Sequence, residues 1–325
     1  MAEPRAFVTG AGGFMGAAVI ERLRALGHDV RGVDLLAGDD PQVIAADISA
    51  PGPWQELAAD CDLVVHTAAV VSNSASWGPA WQVNVVGTRN VVDACRGGSV
   101  RRLVHISSAA VYSHERPAVV TEDLPVRPSQ RVYGDTKIAA EQVVLQAHAA
   151  GDVNATIVRP SDVYGPGSRP WTILPVQMLA AGRVILPASG RGMMNPLYVT
   201  DLVEGIVRAG TADTGVGQVF NLSGPDAVET REFFGHYCEM LGVDAPRVAP
   251  TPIAAGIATV LGTALRVLGR PSEAGAGTMA MLATHARVSN DKAAQMLGWE
   301  PKVGLTEGMR LTEAWLRDEG LLPGG

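Results

Sequence analysis

The sequence predicts an α/β protein, with a doubly wound parallel sheet followed by a smaller, mostly helical C-terminal domain. Short apolar segments alternate with helical patterns through the first half of the chain, and a glycine-rich turn follows the first of them. The second half is more apolar and contains few strand patterns. Alternating strands and helices form right-handed crossovers, and these place the strands in a parallel sheet.

The elements follow one another in a regular order. The first strand is the apolar run 5–9, and the helix over 13–26 ends where Gly27 interrupts its pattern. The remaining predicted elements are strands at 29–33, 61–66, 102–106 and 155–159, and helices at 81–95 and 132–150. Parallel sheets bind ligands at the carboxyl ends of their strands, so the motifs that follow these strands are the candidate site.

Composition and charge exclude several classes of function. The 325 residues carry a net charge of -7, which disfavours a nucleic-acid partner. Cys61, Cys95 and Cys238 are scattered without metal-ligand spacing, which predicts no metal site and a reducing, cytoplasmic location. The N-terminus has no signal-peptide pattern. The apolar segment 252–269 is shorter than a membrane span, so we expect no stable membrane anchor and instead a buried or substrate-covering helix.

The glycine turn after the first strand predicts a dinucleotide site. Gly10 allows a tight turn, Gly13 lets a pyrophosphate approach the helix N-terminus, and Gly16 lets the helix pack closely on the strand. Asp34 ends the second strand, where a carboxylate accepts hydrogen bonds from ribose hydroxyls and repels a 2′-phosphate. The motif therefore predicts a Rossmann-type domain that binds NAD rather than NADP.

Tyr133 and Lys137 stand four residues apart on one predicted helix, so their side chains share a face. A tyrosine has a pKa near 10 and needs roughly 4 kcal/mol of stabilisation of its anion to act as a base at about pH 7. A cation about 5 Å away supplies on the order of 3 kcal/mol at an effective dielectric near 20. An oxidised nicotinamide would add a second positive charge. The spacing alone also fits a solvated helix face, and the other motifs favour the catalytic interpretation.

Together these motifs resemble the extended short-chain dehydrogenase/reductase family over nearly the whole chain. The matching segments are the glycine turn, Asp47-Ile48, residues 66–69, 84–90, 107–112, 159–167, 198–202, 219–222 and 297–301. The resemblance implies an NAD-dependent enzyme in which residues 1–168 bind the dinucleotide and 197–224 return to that domain. Residues 169–196 and 225–325 would then bind the substrate.

The resemblance also assigns roles to individual residues. Ser108 would hold the substrate oxygen, Tyr133 would be the general acid/base, and Lys137 would favour the Tyr133 anion. The expected cofactor-binding residues are Gly10, Gly13, Phe14, Met15, Gly16, Asp34, Asp47, Ile48, Ala68, Ala69, Asn84, Ser107, Tyr133, Lys137, Pro160 and Val163. Members of this family often dimerise through two helices, which here correspond to 81–95 and 132–150.

The substrate remains open between two classes. Members that eliminate water or carbon dioxide place an acid beside the active-site serine, where this chain has Ala109 and Ala110. Nucleotide-sugar enzymes often carry an arginine at about the position of Met194. They also usually have an asparagine after the Arg-Pro pair, where this chain has Ser161 followed by Asp162. These departures and the apolar second half favour a hydrophobic secondary alcohol or ketone, as in the hydroxysteroid dehydrogenase-like branch. The alternative is a nucleotide-sugar 4-epimerase with tightly bound NAD. A non-catalytic NAD-sensing module is a third class, although such members usually lack the tyrosine or the lysine.

Overall fold

The computed structural model describes residues 3–72, 74–113, 116–269 and 272–322. Its strands are β1 (Arg5–Thr9), β2 (Asp29–Asp34), β3 (Val43–Ala45), β4 (Leu63–His66), β5 (Arg102–Ile106), β6 (Val119–Val120), β7 (Ala155–Pro160), β8 (Asp162–Tyr164), β9 (Ile185–Leu186), β10 (Met193–Met194), β11 (Pro196–Tyr198), β12 (Val219–Leu222), β13 (Val228–Glu229), β14 (Arg247–Val248) and β15 (Arg287–Val288). The α-helices are α1 (Phe14–Ala25), α2 (Trp54–Ala59), α3 (Trp77–Trp81), α4 (Gly87–Cys95), α5 (Val132–Ala149), α6 (Leu174–Ala180), α7 (Val199–Thr211), α8 (Thr230–Leu241), α9 (Thr251–Val267), α10 (Ala276–Leu282), α11 (Asp291–Leu297) and α12 (Leu305–Asp318).

Seven strands form one parallel sheet in the order β12-β7-β5-β4-β1-β2-β3. The chain runs outward from β1 through β2 to β3 and then returns to place β4 on the other side of β1. This reversal opens a crevice at the carboxyl ends of β1 and β4, the usual ligand position in such sheets. The predicted doubly wound α/β fold is confirmed.

Helices cover both faces of the sheet and build a core on each. On one face α1 packs against α7, and the core there contains Val19, Leu23 and Leu202. On the other face α4 packs against α2 and α5, around Trp54 and Val91. The strands of the sheet lie between these two helical layers and are buried on both faces. Their sequences are therefore continuous apolar runs.

Every predicted element of the first half is present, and outside the predicted helix 81–95 each bound coincides with the prediction or differs by one or two residues. The predicted helix 81–95 is the largest departure, because a π-helical stretch at Gln82–Val86 separates α3 from α4. The short strand β3 and the helix α2 were not predicted, since the first has three residues and lacks an alternating pattern.

The apolar segment 252–269, expected to be a buried or substrate-covering helix, forms α9, which is exposed on its outer face and lines a cavity on its inner face. Val260 is 73% exposed and Val267 is 82% exposed, whereas Ile257, Ala258 and Leu261 line a cavity beside the sheet. Among the residues described, no helix combines the length and apolar character needed to cross a membrane.

Candidate functional site

The glycine turn leaves β1 in a conformation that side chains would prevent. Gly10 has φ +71°, and a Cβ there would lie 2.8 Å from the backbone nitrogen of Ala68. A Cβ on Gly16 would lie 1.9 Å from the carbonyl oxygen of Gly10. The N-terminal end of α1 therefore packs directly against the glycine-rich turn. The exposed backbone of Gly13 lies at the N-terminus of this helix. Such a terminus presents free N–H groups to an anion.

Asp34 closes the turn from the end of β2. Its Oδ2 accepts a hydrogen bond from the Gly12 N–H at 3.0 Å, and its Oδ1 accepts one from the Leu35 N–H at 2.7 Å. The carboxylate is thus held at the mouth of the crevice beside the glycine turn. No arginine or lysine follows it in sequence at Leu35 and Leu36, both of which are exposed.

Four more predicted cofactor residues line the same edge of the sheet. Asp47 is exposed and accepts a hydrogen bond from the Ser49 N–H at 2.8 Å, while Ile48 is buried and accepts one from Asn90 at 2.8 Å. Ala68 and Ala69 follow β4 directly and are partly buried. These residues surround the crevice beside β1.

Asn84 lies in the π-helical stretch and is buried. Its Oδ1 accepts a hydrogen bond from the Val70 N–H at 2.7 Å, and its Nδ2 donates to the Val70 carbonyl at 3.1 Å and to the Thr136 hydroxyl at 2.9 Å. It therefore ties the segment after β4 to α5, one turn from Tyr133. This position orders the site without placing Asn84 in the cavity.

Ser108, Tyr133 and Lys137 are brought together at the carboxyl end of β5. Ser108 follows that strand, and its hydroxyl hydrogen-bonds the Tyr133 side chain. Lys137 is buried one turn along α5 and donates from Nζ to the Ile106 carbonyl at 2.8 Å. Burial lowers the pKa of Lys137 to about 8, and the Glu141 carboxylate opposes that change.

The surroundings of Tyr133 shift its pKa. Burial raises it above 10, and the hydrogen bond with Ser108 only partly opposes that rise. The role of Lys137 in favouring the Tyr133 anion stays a prediction.

Two buried histidines lie behind the lysine. His66 is within 2.7 Å of the Thr9 hydroxyl through Nδ1 and within 2.9 Å of the Thr88 hydroxyl through Nε2, and burial lowers its pKa to about 3. Both ring nitrogens of His105 are buried without a hydrogen-bond partner among the described residues, and burial with the nearby Lys137 lowers its pKa well below 6.5. Neither ring lines the cavity, so both stay neutral and outside the reacting groups.

A cavity of about 510 Å³ opens beside Ser108 and Tyr133. Six predicted cofactor residues share its wall, namely Phe14, Met15, Ser107, Tyr133, Pro160 and Val163. Ser107 is buried, and within the part of the chain that the structure describes its hydroxyl has no hydrogen-bond partner. The cavity therefore connects the end of the glycine turn with the catalytic pair. Gly10, Gly13, Gly16, Asp34, Asp47, Ile48, Ala68, Ala69, Asn84 and Lys137 lie outside its wall.

Most of the far wall comes from the second half of the chain and is apolar. It includes Trp171, Leu174, Met178, Val184, Phe234, Ile257, Leu261, Met279, Met281 and Leu282. Two arginines that the sequence reasoning missed, Arg116 and Arg131, also line the cavity. The position of Arg131, two residues before Tyr133, was the available signal.

The two residues that argued against a nucleotide sugar differ in position. Asp162 lines the cavity and accepts a hydrogen bond from the Asn195 N–H at 2.8 Å. Burial raises the pKa of Asp162 to about 6, although Asn195 and Arg116 oppose the rise. Met194 is 2% exposed and belongs to the core rather than to the cavity wall. Among the residues described, no cluster of three or more His, Cys, Asp or Glu side chains could hold a metal ion.

Comparisons with known proteins identify relatives over nearly the full length. The chain is 30% identical to 4-hydroxy-2-methyl-3-oxo-4-farnesyl-3,4-dihydroquinoline-1-oxide ketoreductase of Stigmatella aurantiaca, over 98% of this chain and 99% of the relative. It is also 30% identical to UDP-glucose 4-epimerase of Mycolicibacterium smegmatis, over 97% and 99% of the two chains. The solved structure of MoeE5 in complex with UDP-glucose and NAD has a TM-score of 0.78 and 25% identity, and the match covers 97% of this chain and 99% of that one.

Residues 6–223 match the NAD dependent epimerase/dehydratase family. The chain belongs to this family, which confirms the expected resemblance, the enzymatic character and NAD as the cofactor.

Proposed function

We propose that this member of the NAD dependent epimerase/dehydratase family transfers hydride between NAD and a hydrophobic secondary alcohol or ketone. The observation that carries the proposal is the cavity, because Ser108 and Tyr133 open onto a space whose far wall is apolar. Apolar walls with a few polar groups are typical of sites for small hydrophobic ligands. The ketoreductase relative supports it, since its name gives a farnesyl-bearing substrate with an oxo group.

The two parts of the chain have different proposed binding roles. We propose that residues 1–168 with 197–224 bind the cofactor, and that 169–196 and 225–325 bind the substrate. Two observations support this. Strand β12 lies within 197–224 and completes the sheet, while the apolar wall comes mainly from α6, α9 and α10.

The glycine turn fits NAD because it keeps the backbone at the α1 N-terminus bare. We propose that Gly10, Gly13 and Gly16 admit the pyrophosphate, and that Asp34 accepts hydrogen bonds from ribose hydroxyls in place of the Gly12 N–H. When bound, NAD supplies the hydride acceptor or donor for the reaction.

Tyr133 and Ser108 are the residues proposed to act on the substrate hydroxyl or carbonyl group. In oxidation Tyr133 would take the proton of the substrate hydroxyl, and in reduction it would return that proton. Ser108, already hydrogen-bonded to Tyr133, would hold the substrate oxygen and stabilise charge on it. Because burial raises the pKa of Tyr133 in the chain alone, formation of its anion depends on further positive charge near the phenol, which Lys137 and an oxidised nicotinamide would supply.

A nucleotide-sugar 4-epimerase is the second candidate. It is favoured by the relative from Mycolicibacterium smegmatis and by the MoeE5 structure. Against it, Met194 is a core residue where such enzymes often have an arginine, and Asp162 places a carboxyl group on the cavity wall. The expected homodimer through helices 81–95 and 132–150 and the expected cytoplasmic location stay predictions.

A cofactor-reduction screen separates the candidates. NADH formation is followed with hydroxysteroids and other apolar secondary alcohols, and in parallel with UDP- and dTDP-sugars. We expect NADH with the apolar alcohols only. Epimerisation of a nucleotide sugar without net NADH release would overturn the proposal in favour of the second candidate.

A further inference from the structure

Arg131 is a cationic group in the cavity that the proposed reaction does not use. It caps the start of α5, two residues before Tyr133, and its side chain lines the same cavity. Its Nε is buried without a hydrogen-bond partner. Across residues 3–72, 74–113, 116–269 and 272–322, no hydrogen bond or ion pair involves its guanidinium. A buried guanidinium N–H without a hydrogen-bond acceptor is unfavourable, so the Nε of Arg131 favours a ligand that accepts from it.

The nearest acid does not satisfy this guanidinium. Asp135 acts on Arg131 electrostatically, but its Oδ1 accepts a hydrogen bond from the Ser129 N–H at 2.8 Å. Glu273, another acid on the cavity wall, accepts hydrogen bonds from the hydroxyls of Ser72 and Ser74. Neither carboxylate forms an ion pair with Arg131.

The other arginines on the wall are in different situations. Arg116 shares with Arg131 a buried Nε that has no hydrogen-bond partner among the described residues, but it donates from Nη1 to the Ala109 carbonyl at 3.3 Å and interacts electrostatically with Asp162. Arg183 and Arg247 are exposed to solvent at the far side of the cavity. Arg131 therefore combines a place near Tyr133 with a guanidinium that has no partner among the described residues.

Helix α10 leaves room for that guanidinium. A Cβ on Gly277 would lie 1.6 Å from Nη1 of Arg131, so the bare glycine is what lets the arginine lie across α10. The obstructed atom is the end of a flexible side chain, so a methyl group at 277 would push the guanidinium aside rather than disturb the backbone. The two residues together fix where the charge sits in the cavity.

We propose that Arg131 binds a carboxylate of the substrate, so that the substrate class is an apolar hydroxy or oxo acid. This inference rests on the proposed function and narrows it. A planar guanidinium pairs with a carboxylate through two parallel hydrogen bonds, which gives both strength and orientation. A single carboxylate suits this wall better than a diphosphate, because the Asp162 carboxyl group faces the same cavity and would repel a second negative charge.

The test uses calorimetric titration of the full chain saturated with NAD. The probes are decanoate, decan-2-one and UDP. Decanoate and decan-2-one share an apolar chain, and decanoate and UDP share a negative charge. We expect decanoate to bind the unmodified protein at least about tenfold more tightly than decan-2-one, the scale of one good charged contact. In Arg131→Met and in Gly277→Ala the two probes should bind within about twofold of each other. The control Arg127→Met changes an exposed arginine outside the cavity and should keep the preference.

Several outcomes would overturn the inference. Equal binding of decanoate and decan-2-one by the unmodified protein would do so, as would a preference for decanoate that survives in Arg131→Met. So would UDP binding more tightly than either ten-carbon probe and losing that affinity in Arg131→Met. Failure of both ten-carbon probes to bind would also overturn it. Turnover separates this failure from failure of the proposed function. If neutral apolar alcohols yield NADH while the carboxylate preference is absent, only the inference fails. If no apolar alcohol or hydroxy acid yields NADH, the proposed function fails.

Discussion

The nucleotide side and the substrate side of this site are built in different ways. On the nucleotide side each residue follows its strand at once, as Gly10 follows β1 and Asp34 ends β2, and contacts between them fix the backbone. On the substrate side the wall is assembled from helices α6, α9 and α10, far apart in sequence, and one face of α9 is exposed. Backbone geometry constrains the first region and side-chain packing shapes the second, so substitutions should act differently in each.

Tyr133 lies where the two regions meet, and its removal should have the largest effect. Tyr133→Phe deletes the proton-transferring hydroxyl, so we expect turnover to fall at least about a hundredfold, the usual scale for loss of a general base. The NAD dissociation constant should change little, since the aromatic ring remains. Steady-state rates and a fluorescence titration of NAD measure the two effects. Near-normal turnover would remove Tyr133 from the mechanism.

The glycine turn should tolerate no added methyl group. In Gly16→Ala the new Cβ would lie 1.9 Å from the Gly10 carbonyl oxygen, a backbone atom that can move away only if the turn itself shifts. We expect a loss of about 1–3 kcal/mol in the free energy of unfolding, with NAD binding weakened at least about tenfold. Urea denaturation and NAD titration measure these changes. Gly78→Ala is the matched control, because nothing lies within 4 Å of a Cβ there. Equal effects of the two substitutions would contradict the close packing of α1 on the turn.

Asp34 tests whether the same region selects the cofactor by charge. Asp34→Ala removes the carboxylate that would repel a 2′-phosphate, so the preference for NAD over NADP in kcat/KM should narrow by about tenfold, or about 1.4 kcal/mol. Asp39→Ala, at an exposed aspartate nearby, should leave the ratio unchanged. A ratio equally unaffected in both variants would assign the selectivity to other residues.

This contrast also explains how far the sequence alone could predict the molecule. The sheet and the glycine turn depend on local patterns, and the structure has both, whereas the pairing of Ser108 with Tyr133 was expected only from the family resemblance. The direction of the Lys137 ammonium toward Ile106 could not be predicted, because that contact joins α5 to β5. Likewise, the proximity of Arg131 and Gly277 joins residues far apart in the chain, and no periodicity in the sequence predicts such a contact.

Asp162 provides the smallest test, on the substrate side. Burial raises its pKa to about 6 from an ordinary value of 3.8, so the folded chain binds this proton more tightly than the unfolded chain does. The contribution of Asp162 to the free energy of unfolding should therefore fall as the pH rises from about 4 to about 6. Asp162→Asn cannot ionise and keeps an oxygen to accept the Asn195 N–H, so this decline should be absent from it.

Urea denaturation of both proteins between pH 4 and pH 7 measures the difference. Asp226→Asn, at an exposed carboxylate, should follow the unmodified protein throughout. If Asp162→Asn also follows it, the carboxyl group is solvated in the folded chain. The cavity wall near Ser161 would then be open to water, and the apolar character of the substrate side would be confined to the α6, α9 and α10 wall.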